Sequence, residues 1–80
     1  PPIYFWRDQT GHEIDLIVDQ GRTQFPVEIK SGQTLASSMF DTLTWWCRHA
    51  DQPTTTATLV YGGPERQTRN DIAVRPWFAV

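Results

Sequence analysis

The sequence predicts a single α/β domain in which one main helix packs on a mixed β-sheet. Three strand-like segments joined by tight turns occupy the first thirty residues, and a segment with helical spacing of apolar residues follows. A further strand-like segment comes after the helix. A chain of 80 residues is long enough for one domain with a small core, which excludes a two-domain organisation.

The first three strands are predicted as an antiparallel meander. Ile3 to Arg7 is aromatic and β-branched, and a tight turn through Gly11 follows it. Glu13 to Asp19 alternates in polarity before a second turn at Gly21. The alternation places two sets of side chains on opposite faces of this strand: Ile14, Leu16 and Val18 on one, and Glu13, Asp15, Ile17 and Asp19 on the other.

The third strand runs from Thr23 to Lys30, with Pro26 near its start, where a missing N–H is tolerated. Alternation sends Phe25, Val27 and Ile29 to one face and Pro26, Glu28 and Lys30 to the other. Glu28 and Lys30 therefore share a face immediately before the turn at Ser31-Gly32.

A change of period then predicts a helix from about residue 35 to 49, with Thr34 or Ser31 as its cap. Thr56 to Tyr61 is predicted to return as a strand parallel to the third, through a right-handed crossover. Residues 65–70 are predicted as a polar loop and residues 72–75 as a short closing strand. Pro76, Trp77 and Phe78 are predicted to form an anchor that covers one end of the sheet.

Composition narrows the class of protein. The formal net charge of -2 offers little nonspecific attraction for phosphates, which weighs against an autonomous nucleic-acid binder. Cys47 is the only cysteine, so an internal disulfide and a cysteine-rich zinc site are excluded, and we expect a cytoplasmic protein with no membrane partner. Because the chain begins Pro1-Pro2 without an initiator methionine, we expect it to be a fragment of a longer protein.

One group of polar residues could carry chemistry. Pairing of the second and third strands brings Asp15 close to Glu28, with Lys30 two residues further along the same face. Mg²⁺ accepts oxygen ligands and keeps several waters, so two carboxylates and the carbonyl of Ile29 would be a sufficient protein contribution. The alternative is a surface cluster of salt bridges without a metal, worth about 0 to 1 kcal/mol.

The spacing Asp15, Glu28-x-Lys30 resembles the PD-(D/E)XK nuclease motif. The flanking segments YFWRDQTGHEIDLIV, PVEIKSGQT, LVYGG and VRPW make the resemblance more specific. From Tyr4 to Trp77, the chain resembles the C-terminal domain of unknown function found in a large family of prokaryotic AAA-type ATPases, a domain assigned to the restriction-endonuclease-like fold. Residues 1–80 would then be one nuclease-like domain from the C-terminal part of such an ATPase.

The resemblance implies specific roles. Asp15 and Glu28 would bind Mg²⁺ or Mn²⁺, and Lys30 would support catalysis of phosphodiester hydrolysis. The expected partners are an upstream ATPase domain of the same chain and a nucleic-acid substrate. The sequence differs from the family pattern in two ways. The restriction-endonuclease-like core normally has a helix before the first strand, whereas these 80 residues open on the strand. The phosphate-binding motif G-x-x-x-x-G-K-[ST] does not occur in them, so ATP hydrolysis cannot be assigned to this segment.

Two functions from different classes follow. The first is a metal-dependent nuclease with Asp15, Glu28 and Lys30 at its centre. The second is a non-catalytic module that docks the ATPase core or another partner, with the charged cluster as a structural remnant.

Secondary roles are open for several other residues. Gln33 and the loop arginines Arg66 and Arg69 could contact phosphate, although a helix-entry hydrogen bond is the commoner role for Gln33 and two arginines in a polar loop need no such explanation. His12, Cys47 and His49 are not expected to converge on a transition metal, because Cys47 and His49 diverge on a helix.

Overall fold

The computed structural model describes residues 2–79, which form a six-stranded mixed sheet with one α-helix and confirm the predicted α/β class. The spatial order of the strands is β1-β2-β3-β4-β6-β5. The elements are β1 (Ile3–Arg7), β2 (Glu13–Gln20), β3 (Thr23–Ile29), α1 (Ser37–His49), β4 (Thr58–Tyr61), β5 (Gln67–Arg69) and β6 (Ile72–Pro76), with 3-10 turns at Thr54–Thr56 and Trp77–Ala79.

The predicted meander is present. β1 pairs with β2 and β2 with β3, both antiparallel. Gln20 pairs with Thr23, so only two residues form the second turn, and Gly21 takes a φ of +84° at the first of them. Glycine suits this position because a side chain is strained there, and the resulting turn matches the twist of the strands.

The strand after the helix is parallel to β3, as predicted, although it begins later than expected. The 3-10 turn at Thr54–Thr56 takes up the start of the predicted segment, so β4 begins at Thr58. β6 lies parallel to β4 on its other side.

The prediction of a loop over residues 65–70 is wrong for the second half of this segment. Gln67–Arg69 forms β5, which pairs antiparallel with β6. Asn70 and Asp71 make the two-residue turn between them, with φ of +52° and +66°. These two residue types tolerate left-handed backbone, and a turn with two such residues favours a tight hairpin.

The helix begins two residues later than predicted and lacks the predicted cap. Ala36 is extended at the N-cap position and provides no side-chain hydrogen bond. The preceding chain instead follows β4 beyond the end of β3: the Lys30 N–H donates to the Val60 carbonyl at 2.8 Å, and the Gly62 N–H donates to the Gly32 carbonyl at 2.8 Å. This extended path delays helix formation beyond Thr34.

The core lies between α1 and one face of the sheet. Its central side chains are almost fully buried; they include Phe40, Leu43, Trp46, Leu59, Ile72 and Val74. Pro26 pairs with the buried Ile17, and Glu28 pairs with the buried Leu59. Pro26 and Glu28 therefore face the helix, while Phe25, Val27 and Ile29 face away from it.

The prediction of which β2 side chains share a face is wrong, because β2 contains a β-bulge. Ile14 and Ile17 are both fully buried although three residues separate them. They pair with Trp6 and Tyr4, which are only two residues apart, so β2 carries one extra residue at Asp15-Leu16. Simple alternation predicted opposite faces for Ile14 and Ile17 because it assumed an unbroken pleat.

Apolar side chains remain exposed at two places. Ile3, Phe5 and Ile29, on the sheet face opposite α1, are each more than half exposed. Trp77 is 67% exposed and Phe78 is 64% exposed, so the predicted covering of the sheet end by these aromatics is wrong. Within residues 2–79, no helix is long and apolar enough to cross a membrane.

Candidate metal centre

Asp15 and Glu28 meet where β2 and β3 stop pairing. The regular ladder ends at Leu16 and Val27, next to the bulge. Beyond it, the Ile29 N–H donates to Asp15 Oδ2 at 2.8 Å, and the Asp15 N–H donates to Glu28 Oε1 at 3.0 Å. Each carboxylate thus satisfies a backbone donor of the neighbouring strand. The reciprocal bonds confirm the predicted proximity of the two side chains.

The reciprocal bonds leave ligand capacity on both side chains. An ionised carboxylate has about four lone-pair positions on two oxygens, and each of these bonds uses only one. The Ile29 N–H points towards β2, and because the N–H and C=O of one strand residue point to the same side, the Ile29 carbonyl also points to the β2 side. Two carboxylates and one carbonyl, all oxygen donors, suit a hard divalent cation.

The protein contribution to such a site is small. Across residues 2–79, no group of three or more His, Cys, Asp and Glu side chains is arranged to hold a metal ion. A cation at Asp15 and Glu28 would therefore keep most of its coordination positions for water and a substrate oxygen, as Mg²⁺ commonly does.

Glu28 has an unusual protonation equilibrium. Its pKa is raised to about 7, mainly because the side chain is partly buried; the hydrogen bond from the Asp15 N–H lowers the pKa, and the charges of Asp15 and Glu13 raise it. The carboxyl is therefore about half protonated at neutral pH. Because a metal ligand must be ionised, a cation would compete with this proton.

Lys30 is the predicted cation of the site. It lies one residue beyond β3 and shares the face of Glu28, and it is exposed. The ion pairs found within residues 2–79 are Arg7 with Glu13 and His12 with Asp8, and neither includes Lys30.

Close packing of two chain segments fixes the position of Lys30. A Cβ on Gly62 would clash with the Ser31 carbonyl oxygen and would lie 3.1 Å from that of Gly32. Only glycine therefore allows the chain after β4 to lie so close to the chain after β3. The sequence segment LVYGG has a physical role here, because it holds the turn that follows Lys30 against the sheet.

The other candidate residues fall outside this centre. Arg69 lies over the Phe40 ring at 4.4 Å, which gives it a structural contact and weakens its predicted role in phosphate binding. Gln33 and Arg66 are exposed. Cys47 is buried, and His12 and His49 each stack on the Trp45 ring, at 3.8 and 5.0 Å; these three residues form no metal-holding group.

The sequence analysis did not predict that exposed aromatic side chains lie beside the candidate metal centre. β3, β4 and β6 are parallel, so their carboxyl ends lie at one edge of the sheet, which we call the carboxyl edge. Lys30 follows β3 there, Gly62 follows β4 and Trp77 follows β6. The VRPW segment, interpreted as an anchor, instead presents an exposed aromatic pair on the edge that carries Lys30.

These features define a class of protein: a small mixed α/β domain with a carboxylate pair and a lysine at the carboxyl end of its third strand. The family model of the domain of unknown function DUF4143 matches residues 1–79, and the chain belongs to that family. No similar curated protein or solved structure was found.

Proposed function

We propose that this chain is a divalent-metal-dependent, nuclease-like domain that hydrolyses phosphodiester bonds and belongs to a prokaryotic AAA-type ATPase. The observation that supports this most is the pair of reciprocal hydrogen bonds joining Asp15 and Glu28. They hold two carboxylates at one point of the sheet and leave oxygens on each for a cation. The restriction-endonuclease-like assignment of the fold is part of the same proposal.

The residues divide the chemistry between them. Asp15, Glu28 and the Ile29 carbonyl would hold Mg²⁺ or Mn²⁺, which supplies a water of lowered pKa and neutralises phosphate charge. Lys30 orients the attacking water and stabilises the negative charge that develops on the phosphate. The water oxygen bonds to phosphorus, the bond to the leaving oxygen breaks, and the proton of the water passes to the leaving group.

The raised pKa of Glu28 sets the pH dependence of this function. Glu28 must lose its proton to become a ligand, so metal affinity and cleavage should both rise as pH increases through about 7. Acidic solutions should favour the protonated, metal-free form.

Cleavage of labelled DNA and RNA with Mn²⁺ tests the proposal. We expect Asp15→Asn and Lys30→Met to lower the rate at least about 100-fold, in line with the loss of a positioned electrostatic group. Arg22→Met is the matched control, because Arg22 is an exposed cation in the turn at the opposite end of β3. No cleavage by the wild-type chain, or equal loss in the control, would contradict a catalytic role.

A second candidate function is a non-catalytic docking module. It is supported by the apolar side chains on the sheet face opposite α1, since such patches commonly mark contact surfaces. An upstream ATPase domain is the expected partner. A charge substitution there, Phe5→Glu, should then weaken binding of the ATPase part in a pull-down assay while leaving Mn²⁺ binding intact; unchanged binding would contradict docking through this face.

A further inference from the structure

The carboxyl edge carries an aromatic pair that the metal centre does not use. Trp77 and Phe78 follow β6 directly, and their rings meet edge to face at 6.1 Å with an interplanar angle of 90°. Both side chains are about two-thirds exposed. Large exposed aromatics are costly in water, so a pair in contact is an unusual surface feature.

The aromatic pair lies close enough to the metal centre for one extended polymer to contact both. Only β4 separates β3 from β6, and strands are spaced about 4.8 Å apart, so the chain following β6 lies about 10 Å from that following β3. Between these places the Gly62 N–H donates to the Gly32 carbonyl at 2.8 Å, and neither glycine carries a side chain. An extended polymer could therefore lie along this edge and contact both places.

Cations on the same edge complement a phosphate backbone. Lys30 is exposed at the end of β3, and Arg66 is exposed in the loop after β4. Tyr61 fixes that loop, because its hydroxyl donates to the Glu65 carbonyl at 2.9 Å and accepts from the Glu65 N–H at 3.0 Å. Arg66 directly precedes β5, the strand beyond β6 in the sheet, so it lies past the aromatic pair as seen from Lys30.

We propose that Trp77 and Phe78 form a stacking platform for the unpaired bases of a single-stranded nucleic acid, whose backbone follows the carboxyl edge to Asp15 and Glu28. The proposal rests on the proposed nuclease function and adds its substrate class. Aromatic side chains bind bases through their faces, which every base offers when it is unpaired and which base pairing within a duplex hides. Arg66 and Lys30 contact the phosphates.

Binding without cleavage tests the platform separately from the catalytic centre. A short fluorescein-labelled oligothymidylate is titrated with the protein in EDTA and low salt, and anisotropy is measured; the same strand in a duplex is the comparison. We expect the single strand to bind more tightly than the duplex. Trp77→Ala should weaken single-strand binding about 5- to 100-fold, and Trp77→Phe should retain most of it.

Two further variants make the outcome specific. Phe5→Ala removes an aromatic that is 54% exposed on β1, the strand at the opposite edge of the sheet, and should leave binding unchanged. Asp15→Asn should abolish Mn²⁺ binding while strand binding persists, so failure of the metal centre and failure of the platform are distinguishable.

Several results would overturn the platform. One is equal affinity for single strand and duplex, and another is no binding of either. A third is equal weakening by Trp77→Ala and Phe5→Ala. If Trp77→Ala instead converts a dimer to a monomer in sedimentation, without effect on the oligonucleotide, the aromatic pair is a protein contact and the proposal is wrong.

Discussion

Replacement of Glu28 by glutamine should remove most of the pH dependence of stability between pH 5 and 8. Glutamine keeps an oxygen that accepts the Asp15 N–H, so the reciprocal bonds survive. It removes only the ionisation of a partly buried carboxyl. The variant therefore isolates the electrostatic cost of charging Glu28 inside the fold.

The sign and size of the effect follow from the pKa. The folded-state pKa is raised from 4.5 to about 7, so between these values the folded state holds a proton that the unfolded state has lost. Stability of the wild type therefore falls as pH rises through this window. At 1.36 kcal/mol per pH unit the limit is about 3 kcal/mol, and partial exposure of Glu28 reduces it to about 2 kcal/mol.

Thermal unfolding at a series of pH values measures this directly. Relative to wild type, Glu28→Gln should gain about 10 °C in Tm between pH 5 and pH 8, since 1 kcal/mol corresponds to roughly 4–8 °C in a domain of this size. Glu65→Gln, at an exposed carboxylate, should show no such gain. Parallel pH profiles for wild type and Glu28→Gln would refute the reasoning.

Three other substitutions test the packing and the charges around the centre. Gly62→Ala should destabilise the fold by about 1–3 kcal/mol in urea unfolding, because the new Cβ meets the Ser31 carbonyl; a neutral result would contradict the close approach. Leu43→Ala should cost about 2–5 kcal/mol through the cavity left in the core, and a loss under 1 kcal/mol would place Leu43 outside it. Glu13→Gln should lower the pKa of Glu28 in a carbon-13 NMR titration, and by less than Asp15→Asn does, because the charge of Asp15 has the larger effect; the reverse order would contradict the geometry.

Features that depend on local pattern could be predicted from the sequence. Alternating polarity and glycine turns predict the meander, and the helix between β3 and β4 predicts that β4 returns parallel to β3. The proximity of Asp15 and Glu28 follows from the pairing of adjacent strands. These predictions succeeded because each rests on contacts between neighbouring segments.

Features that depend on irregular backbone could not be predicted in the same way. The bulge at Asp15-Leu16 moves Ile17 to the helix side, and no residue pattern marks the extra residue. β5 is short and polar, so only the Asn70-Asp71 turn indicates it. The raised pKa of Glu28 depends on which sheet face the helix covers, which is decided by packing across the whole domain.

The central claim is that Asp15 and Glu28 form a working metal site. Calorimetric titration with Mn²⁺ at pH 8, where Glu28 is mostly ionised, tests it most directly. We predict saturable binding by the wild type, its loss in Asp15→Asn, and its retention in Asp41→Asn, which changes an exposed aspartate on α1. Absence of binding by the folded wild type, or equal loss in both variants, would contradict the metal site.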